Sequence, residues 1–397
     1  EGLARHIRAG AGPPPAPLRR SDDGKIRLGF LSPNFRDHPS AQLNLAQFAR
    51  RDRSRFAVFA YSLRPGEGPL REAIAGHCDA FRELGHLSDE AIAGRIRDDG
   101  IDILIDLAGH LDHDRPGVLA LRPAPLRVAY LGLPATMGAE LVDYRILDRS
   151  TVTADQEVFW GEKLVFLPQT AFLYDDREAI SPVKPHRRAC GLPESGIVFC
   201  CFNAPYKIEP EVFVVWMHLL AAVPGSVLWL IDGGAAARDN LRREAAARGV
   251  DPQRLVFAPR LPRPEHLARH ACADLFLDTF YCGAMATAAD ALWAGLPVLT
   301  CRGETMAASQ STSIVLAAGL PELVAPDAEA YEAAALRLAT EPDELAALRE
   351  RLAHNRSDCP LFDTARRVRE LDRAFEAMWQ RHLAGLPPES FSVPERL

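Results

Sequence analysis

Short apolar runs that alternate with helical patterns constrain the fold of this chain more than any other feature of its sequence. A first series of apolar runs lies at residues 26–32, 56–63, 102–109 and 126–134. A second series lies at residues 197–203, 226–232, 254–259, 274–279 and 296–300. Helical patterns separate the runs, for instance at 89–100, 210–225, 235–248, 264–273 and 284–295. Because strands that alternate with helices are typical of parallel sheets, the sequence predicts an α/β protein with two Rossmann-like halves.

Proline-rich and glycine-rich stretches divide the chain into regions. Residues 10–24 are typical of a linker, and the residues before them resemble the end of a helix, so we expect a longer natural protein with an upstream region. Pro182, Pro185 and Pro193 mark a connection between the two series. The predicted regions are a truncated helical end plus linker (1–24), an N-terminal Rossmann-like domain (25–180), a C-terminal Rossmann-like domain (181–360), and a C-terminal helix and tail (361–397). Two such domains predict a central ligand cleft between them, at the carboxyl ends of the strands.

Composition narrows the functions that this architecture allows. A formal net charge of −7 argues against nucleic-acid binding, which usually requires a basic face. No apolar stretch is long enough to span a membrane. The eight cysteines form no CxxC pair and no Cys/His ligand spacing, so we expect a cytoplasmic protein without structural zinc.

The second series carries a group of charged residues that suits a nucleotide. Arg263, His266 and Arg269 follow one another at helical spacing, so they can share a helix face. Small residues then precede a helix that contains Asp290, and a helix start with small residues can bind a phosphate closely. Lys207 follows a strand end, where it can meet a diphosphate leaving group. These residues favour a nucleoside diphosphate site; the alternative is a solvated basic face with an ordinary exposed lysine.

The first series offers histidines at two strand ends. His38 follows the first strand and can orient or deprotonate a hydroxyl, although a surface-loop histidine is the plainer interpretation. His110 follows the third strand and can contribute to the cleft, with Gly132 and Pro134 shaping the opposite wall. The neighbouring group Asp112, His113 and Asp114 is too close along one loop to form a metal site without distant ligands, so no metal is expected.

Several common motifs are absent from the sequence. No GxGxxG fingerprint follows the first strand and no P-loop is present, which argues against dehydrogenases and NTPases. No GxSxG elbow of a hydrolase is present either.

Ten stretches of this chain, in order from about residue 25 to residue 379, resemble the catalytic region of the O-GlcNAc transferase family, which includes bacterial members and plant SPINDLY-type O-fucosyltransferases. The stretches are KIRLGFLSPNFRDHP, DILIDLAGH, ALRPAPLRVAYLGLPATMG with DYRILD, EKLVFLP, FNAPYKIEP, VPGSVLWL, RLVFAPRLPRPEHL, LDTFYCGAMATAADALWAGLPVLT, RGETMA and AMW. In that family the catalytic region usually follows tetratricopeptide repeats, which agrees with the expected upstream region.

The resemblance implies a GT-B fold and metal-independent, inverting sugar transfer from a nucleotide sugar to Ser or Thr hydroxyls of proteins. No cofactor besides the UDP-sugar donor is implied. It places the acceptor side in the N-terminal domain and the nucleotide sugar in the C-terminal domain. By their match to family positions, the active-site pair is His38 and Lys207, and the nucleotide-binding residues are Leu261, Arg263, His266, Arg269, Thr287 and Asp290. Of these, Asp290 matches the family's ribose-binding carboxylate.

The chain departs from the family pattern at the wall that faces the sugar. Ala204 stands in place of a glutamine, Met285 of a histidine and Ala286 of a threonine, while Leu111 and Ser309 replace a threonine and an arginine. A wall that loses hydroxyl and imidazole partners either binds a different sugar or binds the usual one weakly.

Three functions are compatible with these residues. The first is a protein O-glycosyltransferase with UDP-GlcNAc as the default donor. The second keeps the fold but uses another UDP-hexose, GDP-fucose or a small-molecule acceptor. The third is a nucleotide-binding scaffold with weak catalysis, against which the retention of both His38 and Lys207 argues.

Overall fold

The computed structural model describes residues 24–395, and its strands alternate with helices along the chain. The strands are β1 (Ile26–Ser32), β2 (Phe56–Ser62), β3 (Ala80–Glu83), β4 (Ile103–Asp106), β5 (Leu126–Ala129), β6 (Tyr144–Leu147), β7 (Lys163–Phe166), β8 (Val198–Cys201), β9 (Val227–Ile231), β10 (Leu255–Ala258), β11 (Leu275–Leu277), β12 (Val298–Cys301), β13 (Val324–Ala325) and β14 (Phe391–Ser392). The predicted region 1–24 falls almost wholly outside the described residues.

The α-helices are α1 (Pro39–Ala49), α2 (Pro69–Gly76), α3 (Asp89–Asp98), α4 (Pro116–Ala120), α5 (Pro210–Ala222), α6 (Ala235–Ala247), α7 (Arg263–Arg269), α8 (Ala286–Trp293), α9 (Gln310–Ala317), α10 (Ala328–Thr340), α11 (Pro342–Asn355) and α12 (Thr364–Leu383). Among the described residues, no helix is both long and apolar enough to cross a membrane.

The chain divides into two compact units. The first contains the residues up to Asp175 and those from Thr364 onward, and the second is Asp176–Asp363. The structure therefore differs from the predicted regions at 361–397, where the sequence indicates a separate helix and tail. α12 and β14 belong instead to the first unit, because their apolar side chains complete its core.

The first unit is built on one parallel sheet of eight strands, in the order β14-β7-β6-β5-β4-β1-β2-β3. One face packs against α12, whose Leu371, Phe375 and Met378 lie in the same buried cluster as Leu28 and Phe30 of β1. A second apolar cluster covers the opposite face and includes residues of α3 and α4. The sheet is thus covered by helices on both faces, as parallel sheets require.

The second unit is built on a parallel sheet of six strands, in the order β10-β9-β8-β11-β12-β13. This order reverses direction between β8 and β11, as the order of the first sheet does between β1 and β4. Ligands of such sheets bind at the carboxyl ends of the strands beside this switch point. The prediction of an α/β protein with two Rossmann-like halves is therefore confirmed.

The apolar runs did not predict β3, β6, β7, β13 and β14. β3, β6 and β7 have four residues each, and β13 and β14 have two. Pairing with a neighbouring strand defines each of these five strands.

Candidate nucleotide-binding site

The switch point of the second sheet brings together two segments that are far apart in sequence. β8 and β11 are hydrogen-bonded neighbours, so residues 202–209 and 278–285 leave the sheet side by side. The first segment carries Lys207, and the second leads into α8. The structure thus places the predicted lysine beside the predicted phosphate-binding helix start.

Asp278 organises this edge of the sheet. Its side chain is fully buried and accepts hydrogen bonds from Asn203 Nδ2 at 3.1 Å, from the Ala284 amide at 2.8 Å and from Thr300 Oγ1 at 2.9 Å. Ser311 Oγ donates to the same carboxylate. Burial raises the pKa of Asp278, and these hydrogen bonds oppose that effect by favouring the charged form. The carboxylate therefore holds the loop before α8 in one conformation.

Lys207 contacts this loop directly. Its Nζ donates a 2.8 Å hydrogen bond to the carbonyl oxygen of Gly283. A Cβ at Gly283 would lie 2.5 Å from Ser311 Oγ, so a larger residue would displace the Ser311 hydroxyl that donates to Asp278. Because an ammonium group has three N–H donors, the bond to Gly283 leaves donors for an anionic oxygen.

The start of α8 offers backbone amides beside Lys207. Met285 is its N-cap residue, and none of the described side chains caps the helix there. Thr287 Oγ1 donates instead to Asn203 Oδ1, which joins the helix start to the segment after β8. The first amides of a helix lack intrahelical partners and carry partial positive charge, so this end can bind a phosphate. Ala286 keeps the approach free of a bulky side chain.

Two further departures from the family pattern, Ala204 and Ser309, lie in loops that follow strands of the second sheet. Ala204 is the N-cap residue of the 3₁₀ turn Pro205–Lys207. Ser309 is buried, and its Oγ donates to the Gly303 carbonyl at 2.7 Å, which closes the loop after β12. Ser309 is therefore a loop-stabilising residue in this structure, and its hydroxyl is already engaged.

Arg263 of α7 and Asp290 of α8 form a two-pronged ion pair. Arg263 Nη1 donates to Asp290 Oδ2 at 3.0 Å, and Nη2 donates to Oδ1 at 2.8 Å. Arg263 Nε donates to the carboxylate of Glu178. The predicted ribose-binding carboxylate is thus held by a predicted nucleotide-binding arginine, and a third residue joins them. Leu261, in the loop before α7, is 43% exposed and available to a ligand.

His266 and Arg269 lie one turn apart on α7, above a buried aromatic cluster. Arg269 donates to the Pro259 carbonyl at 2.6 Å and to His266 Nδ1, and its guanidinium carbon lies 4.5 Å from the Phe202 ring centroid. Burial lowers the pKa of Arg269 to about 10. Because a guanidinium can only donate, His266 accepts at Nδ1 and its neutral ring carries the proton at Nε2. Arg269 therefore sets the tautomer of His266.

Two neighbouring histidines, His266 of α7 and His270 just after it, are held neutral. Burial, with His270 and Arg269 nearby, lowers the pKa of His266 to about 2. Burial also lowers the pKa of His270 to about 4, and His270 Nδ1 lies 2.9 Å from the His266 carbonyl, to which it donates. The His266 ring can therefore meet a nucleotide base as a neutral hydrogen-bonding group throughout the physiological pH range.

We expect these histidines to make the second unit less stable in mild acid. The unfolded chain takes up protons on both rings below about pH 6.5, whereas the folded chain does not until about pH 4 for His270 and pH 2 for His266. Stability is thus complete above pH 6.5 and falls as the pH drops, by about 1 kcal/mol per pH unit for each histidine. Urea unfolding at pH 7.0, 6.0 and 5.0 measures this loss. His270→Gln should lower the slope by one proton; an unchanged slope would contradict it.

The switch point of the first sheet carries His38. This residue is the N-cap of α1, and its Nδ1 accepts a 3.1 Å hydrogen bond from the Ser40 amide. Burial and the charge of Arg36 lower the pKa of His38. Because the backbone amide can only donate, the neutral ring of His38 carries its proton at Nε2. His38 therefore presents an N–H donor.

The loops after β4 and β5 lie at the same end of the first sheet. Asp106 accepts from the Gly109 amide at 2.7 Å, and burial raises its pKa to about 6. Leu133 N donates to the Ala108 carbonyl at 3.0 Å. A Cβ at Gly132 would lie 2.5 Å from the Ala108 carbonyl carbon, so these two loops pack backbone against backbone. This packing places the Gly132–Pro134 loop beside the loop that ends at His110.

The two histidines of the loop after β4, His110 and His113, are exposed. His110 Nδ1 lies 3.6 Å from Asp114 Oδ2, and His113 Nε2 lies 3.2 Å from Asp112 Oδ2. Leu111, between them, is partly exposed. Throughout residues 24–395, no group of three or more His, Cys, Asp or Glu side chains is arranged to hold a metal ion.

Sequence reasoning missed three residues of the second unit's site. Asp278 follows β11 directly and Asn203 follows β8 after Phe202, and a polar residue at the end of an apolar run was the available signal. Glu178 carries no such signal, since it lies in the connection between the two series.

The chain is similar to known glycosyltransferases over most of its length. A model of glycosyl transferase family 41 matches residues 15–187 and 180–371. The chain is 37% identical over 96% of its length to the probable UDP-N-acetylglucosamine–peptide N-acetylglucosaminyltransferase SEC of Arabidopsis thaliana, of which it covers 40%. It is 28% identical over 91% of its length to the Caenorhabditis elegans UDP-N-acetylglucosamine–peptide N-acetylglucosaminyltransferase, of which it covers 41%. The chain thus spans about two fifths of these relatives.

A solved structure matches almost the whole chain. An O-GlcNAc transferase mutant of Thermobaculum terrenum superposes with a TM-score of 0.86 and is 31% identical, over 96% of this chain and 74% of that one. This match confirms the predicted GT-B class. On the extent of the family match and on these identities, the chain belongs to glycosyl transferase family 41.

Proposed function

We propose that the second unit binds a UDP-sugar and that the chain transfers the sugar, with inversion, to a Ser or Thr hydroxyl of a protein. The observation that carries the proposal is the contact of Lys207 Nζ with Gly283 O, which places an ammonium group at the open start of α8. The ammonium group of Lys207 and the partial positive charge of the helix start together suit a diphosphate. The names of the relatives, which act on UDP-N-acetylglucosamine and peptides, support the choice of donor and acceptor.

In the proposed reaction the acceptor oxygen attacks the anomeric carbon while the bond from that carbon to the UDP oxygen breaks. Negative charge then develops on the leaving diphosphate, where Lys207 and the first amides of α8 stabilise it. The acceptor proton leaves to a base that the proposal does not assign. His38 is proposed as an orienting donor, because its Nδ1 is engaged by the Ser40 amide and its Nε2 carries the proton.

Metal independence belongs to the same proposal. Lys207 and the α8 start supply the positive charge that a divalent ion supplies in other nucleotide-sugar sites. We expect transfer to survive an excess of EDTA; a loss that Mg²⁺ or Mn²⁺ restores would contradict the metal-free mechanism.

The donor sugar is proposed as GlcNAc by default, with one competing candidate that the structure motivates. Met285 and Ala286 stand at the start of α8, and Ala204 stands at the turn before Lys207, so this edge offers apolar groups to a sugar. Another UDP-hexose or GDP-fucose, or a small-molecule acceptor, is therefore the second candidate. A site that lacks polar partners loses its preference for the sugar whose hydroxyls they would bind.

A panel of nucleotide sugars tests these alternatives. UDP-GlcNAc, UDP-glucose, UDP-galactose and GDP-fucose are compared by nucleotide release with and without an acceptor protein, and the modified protein is analysed by mass spectrometry. Acceptor-dependent release from UDP-GlcNAc with a matching mass increase supports the default donor. Turnover with another sugar selects the second candidate. UDP binding without turnover across the panel would indicate a nucleotide-binding scaffold.

His38 yields a prediction with a built-in control for folding. We expect His38→Ala to lower transfer by about 10²-fold or more and also to destabilise α1 by about 1 kcal/mol, because the N-cap is lost. His38→Asn keeps a good N-cap, so it should lose transfer while its thermal unfolding stays near wild type. Transfer assays and thermal unfolding of both variants separate the two effects. Normal transfer by His38→Asn would contradict the orienting role.

The cytoplasmic location and the absence of nucleic-acid and membrane partners are further parts of this proposal. All eight cysteines lie within the described residues and are free thiols, which agrees with a reducing compartment. Fractionation of the native host measures the location of the protein, and thiol labelling of the fractions measures whether its cysteines are reduced.

A further inference from the structure

The segment 176–181 lies between the two series of strands, yet it is bonded to both helices that carry predicted nucleotide-binding residues. The Ser181 amide donates to the Pro264 carbonyl at 3.0 Å, at the start of α7. Trp293 Nε1, near the end of α8, donates to the Glu178 carbonyl at 3.0 Å. These bonds explain why the second unit begins at Asp176, before the predicted boundary at 181.

The side chain of Glu178 completes a line of three charges. Arg263 lies between two carboxylates, with Nε toward Glu178 and both Nη atoms toward Asp290. The side chains of Glu178 and Asp290 are only 7% and 6% exposed, whereas that of Arg263 is 29% exposed. Two nearly buried carboxylates thus share one partly exposed guanidinium beside α7 and α8.

The planar shape of the guanidinium makes Glu178 decisive for the orientation of Asp290. Arg presents its N–H groups in a rigid fork, so a bond at Nε fixes the plane in which Nη1 and Nη2 meet Asp290. A carboxylate offers about four lone-pair sites, so Asp290 can accept from Arg263 and from hydroxyl groups at the same time. Without the anchor at Nε, the Arg263 side chain can rotate and carry the Asp290 contact with it.

We propose that Glu178 is a positioning residue for ribose recognition: through Arg263 it orients Asp290 toward the hydroxyls of a nucleoside diphosphate. This inference rests on the proposed function, since it takes the second unit to be the nucleotide site. It also gives Arg263 a defined role, as the link between the two carboxylates. The phosphate charge is then met by Lys207 and the start of α8.

The test compares UDP with 2′-deoxy-UDP by isothermal titration calorimetry on the full chain. In the wild type we expect UDP to bind about tenfold more tightly than 2′-deoxy-UDP, since a hydrogen bond to a charged group is lost. In Glu178→Ala we expect this ratio to fall below about threefold. Glu178→Gln keeps an oxygen for Arg263 Nε, so it should restore part of the ratio. Glu265→Gln, an exposed acid on α7, is the matched control and should keep the wild-type ratio.

The ratio of the affinities for UDP and 2′-deoxy-UDP distinguishes a positioning role of Glu178 from a purely structural one. A structural role would lower the unfolding temperature of Glu178→Ala and weaken both ligands equally, leaving the ratio at its wild-type value; that result overturns the proposal. A Glu178→Gln ratio no higher than that of Glu178→Ala also contradicts it. Failure of the wild type to bind UDP overturns the proposed UDP site together with this inference. Binding of UDP by the wild type without discrimination overturns this inference alone.

Discussion

Replacement of Lys207 by methionine is expected to abolish sugar transfer while UDP binding largely survives. Methionine keeps the unbranched apolar stem of lysine but removes the ammonium group that bonds to Gly283. The charge that this group stabilises develops only as the diphosphate leaves, so its loss raises the barrier more than it weakens the ground state. We expect transfer to fall by about 10³-fold and the UDP dissociation constant to rise by less than about tenfold.

Single-turnover transfer assays and calorimetry with UDP measure the two quantities separately. Lys184→Met is the matched control, because Lys184 is exposed in the second unit and outside the site. Transfer by Lys207→Met at near wild-type rates would refute the role. A loss of UDP affinity as large as the loss of transfer would mean that Lys207 binds the ground state equally well, which contradicts leaving-group stabilisation.

Removal of the Asp278 carboxylate is expected to have the largest effect on stability. Asp278→Ala removes the acceptor of the buried Ala284 amide. Asn203, Thr300 and Ser311 each lose one hydrogen bond as well, although Asn203 still bonds to Thr279 and Thr300 still bonds to Ser311. A buried donor without a partner costs about 1–3 kcal/mol, so we expect the second unit to lose at least about 3 kcal/mol. The loop before α8 loses its anchor at the same time, so UDP affinity should fall by at least about tenfold.

Urea unfolding, with the transition of the second unit identified by its shift in UDP, measures the stability loss. Asp232→Ala is the matched control. Asp232 follows β9 of the same sheet and pairs with Arg238, but its side chain is 31% exposed, so we expect a loss below about 1 kcal/mol. Asp278→Asn keeps the side-chain volume but places an amide nitrogen among hydrogen-bond donors. Its loss of stability should therefore lie between those of Asp278→Ala and Asp232→Ala. Equal effects of Asp278→Ala and Asp232→Ala would show that the buried network does not stabilise the loop.

Much of the site could be predicted because its residues lie at strand ends. Lys207 and His38 each follow an apolar run, and Arg263, His266 and Arg269 follow one another at helical spacing. Residue type and position along the chain were enough to indicate an anion near a helix start. The roles of these residues came from the family resemblance, and they remain predictions that the experiments above test.

The residues that sequence reasoning missed act through contacts between distant segments. Asn203 and Asp278 are 75 positions apart, and Glu178 and Arg263 are 85 positions apart. No local pattern records such a contact. The tautomers of His38 and His266 are likewise set by tertiary neighbours, the Ser40 amide and Arg269, and not by the residues themselves.

The sequence by itself determined that this chain forms two Rossmann-like halves, because alternation of apolar strands with amphipathic helices is a local property of the chain. It also determined which residue types stand at the strand ends. Only the tertiary structure decided which strand ends are neighbours. The sheet order places β8 beside β11, and thereby Lys207 beside Gly283, because hydrogen bonding between strands does not follow their order in sequence. The same tertiary packing assigned α12 to the first unit and Glu178 to the second.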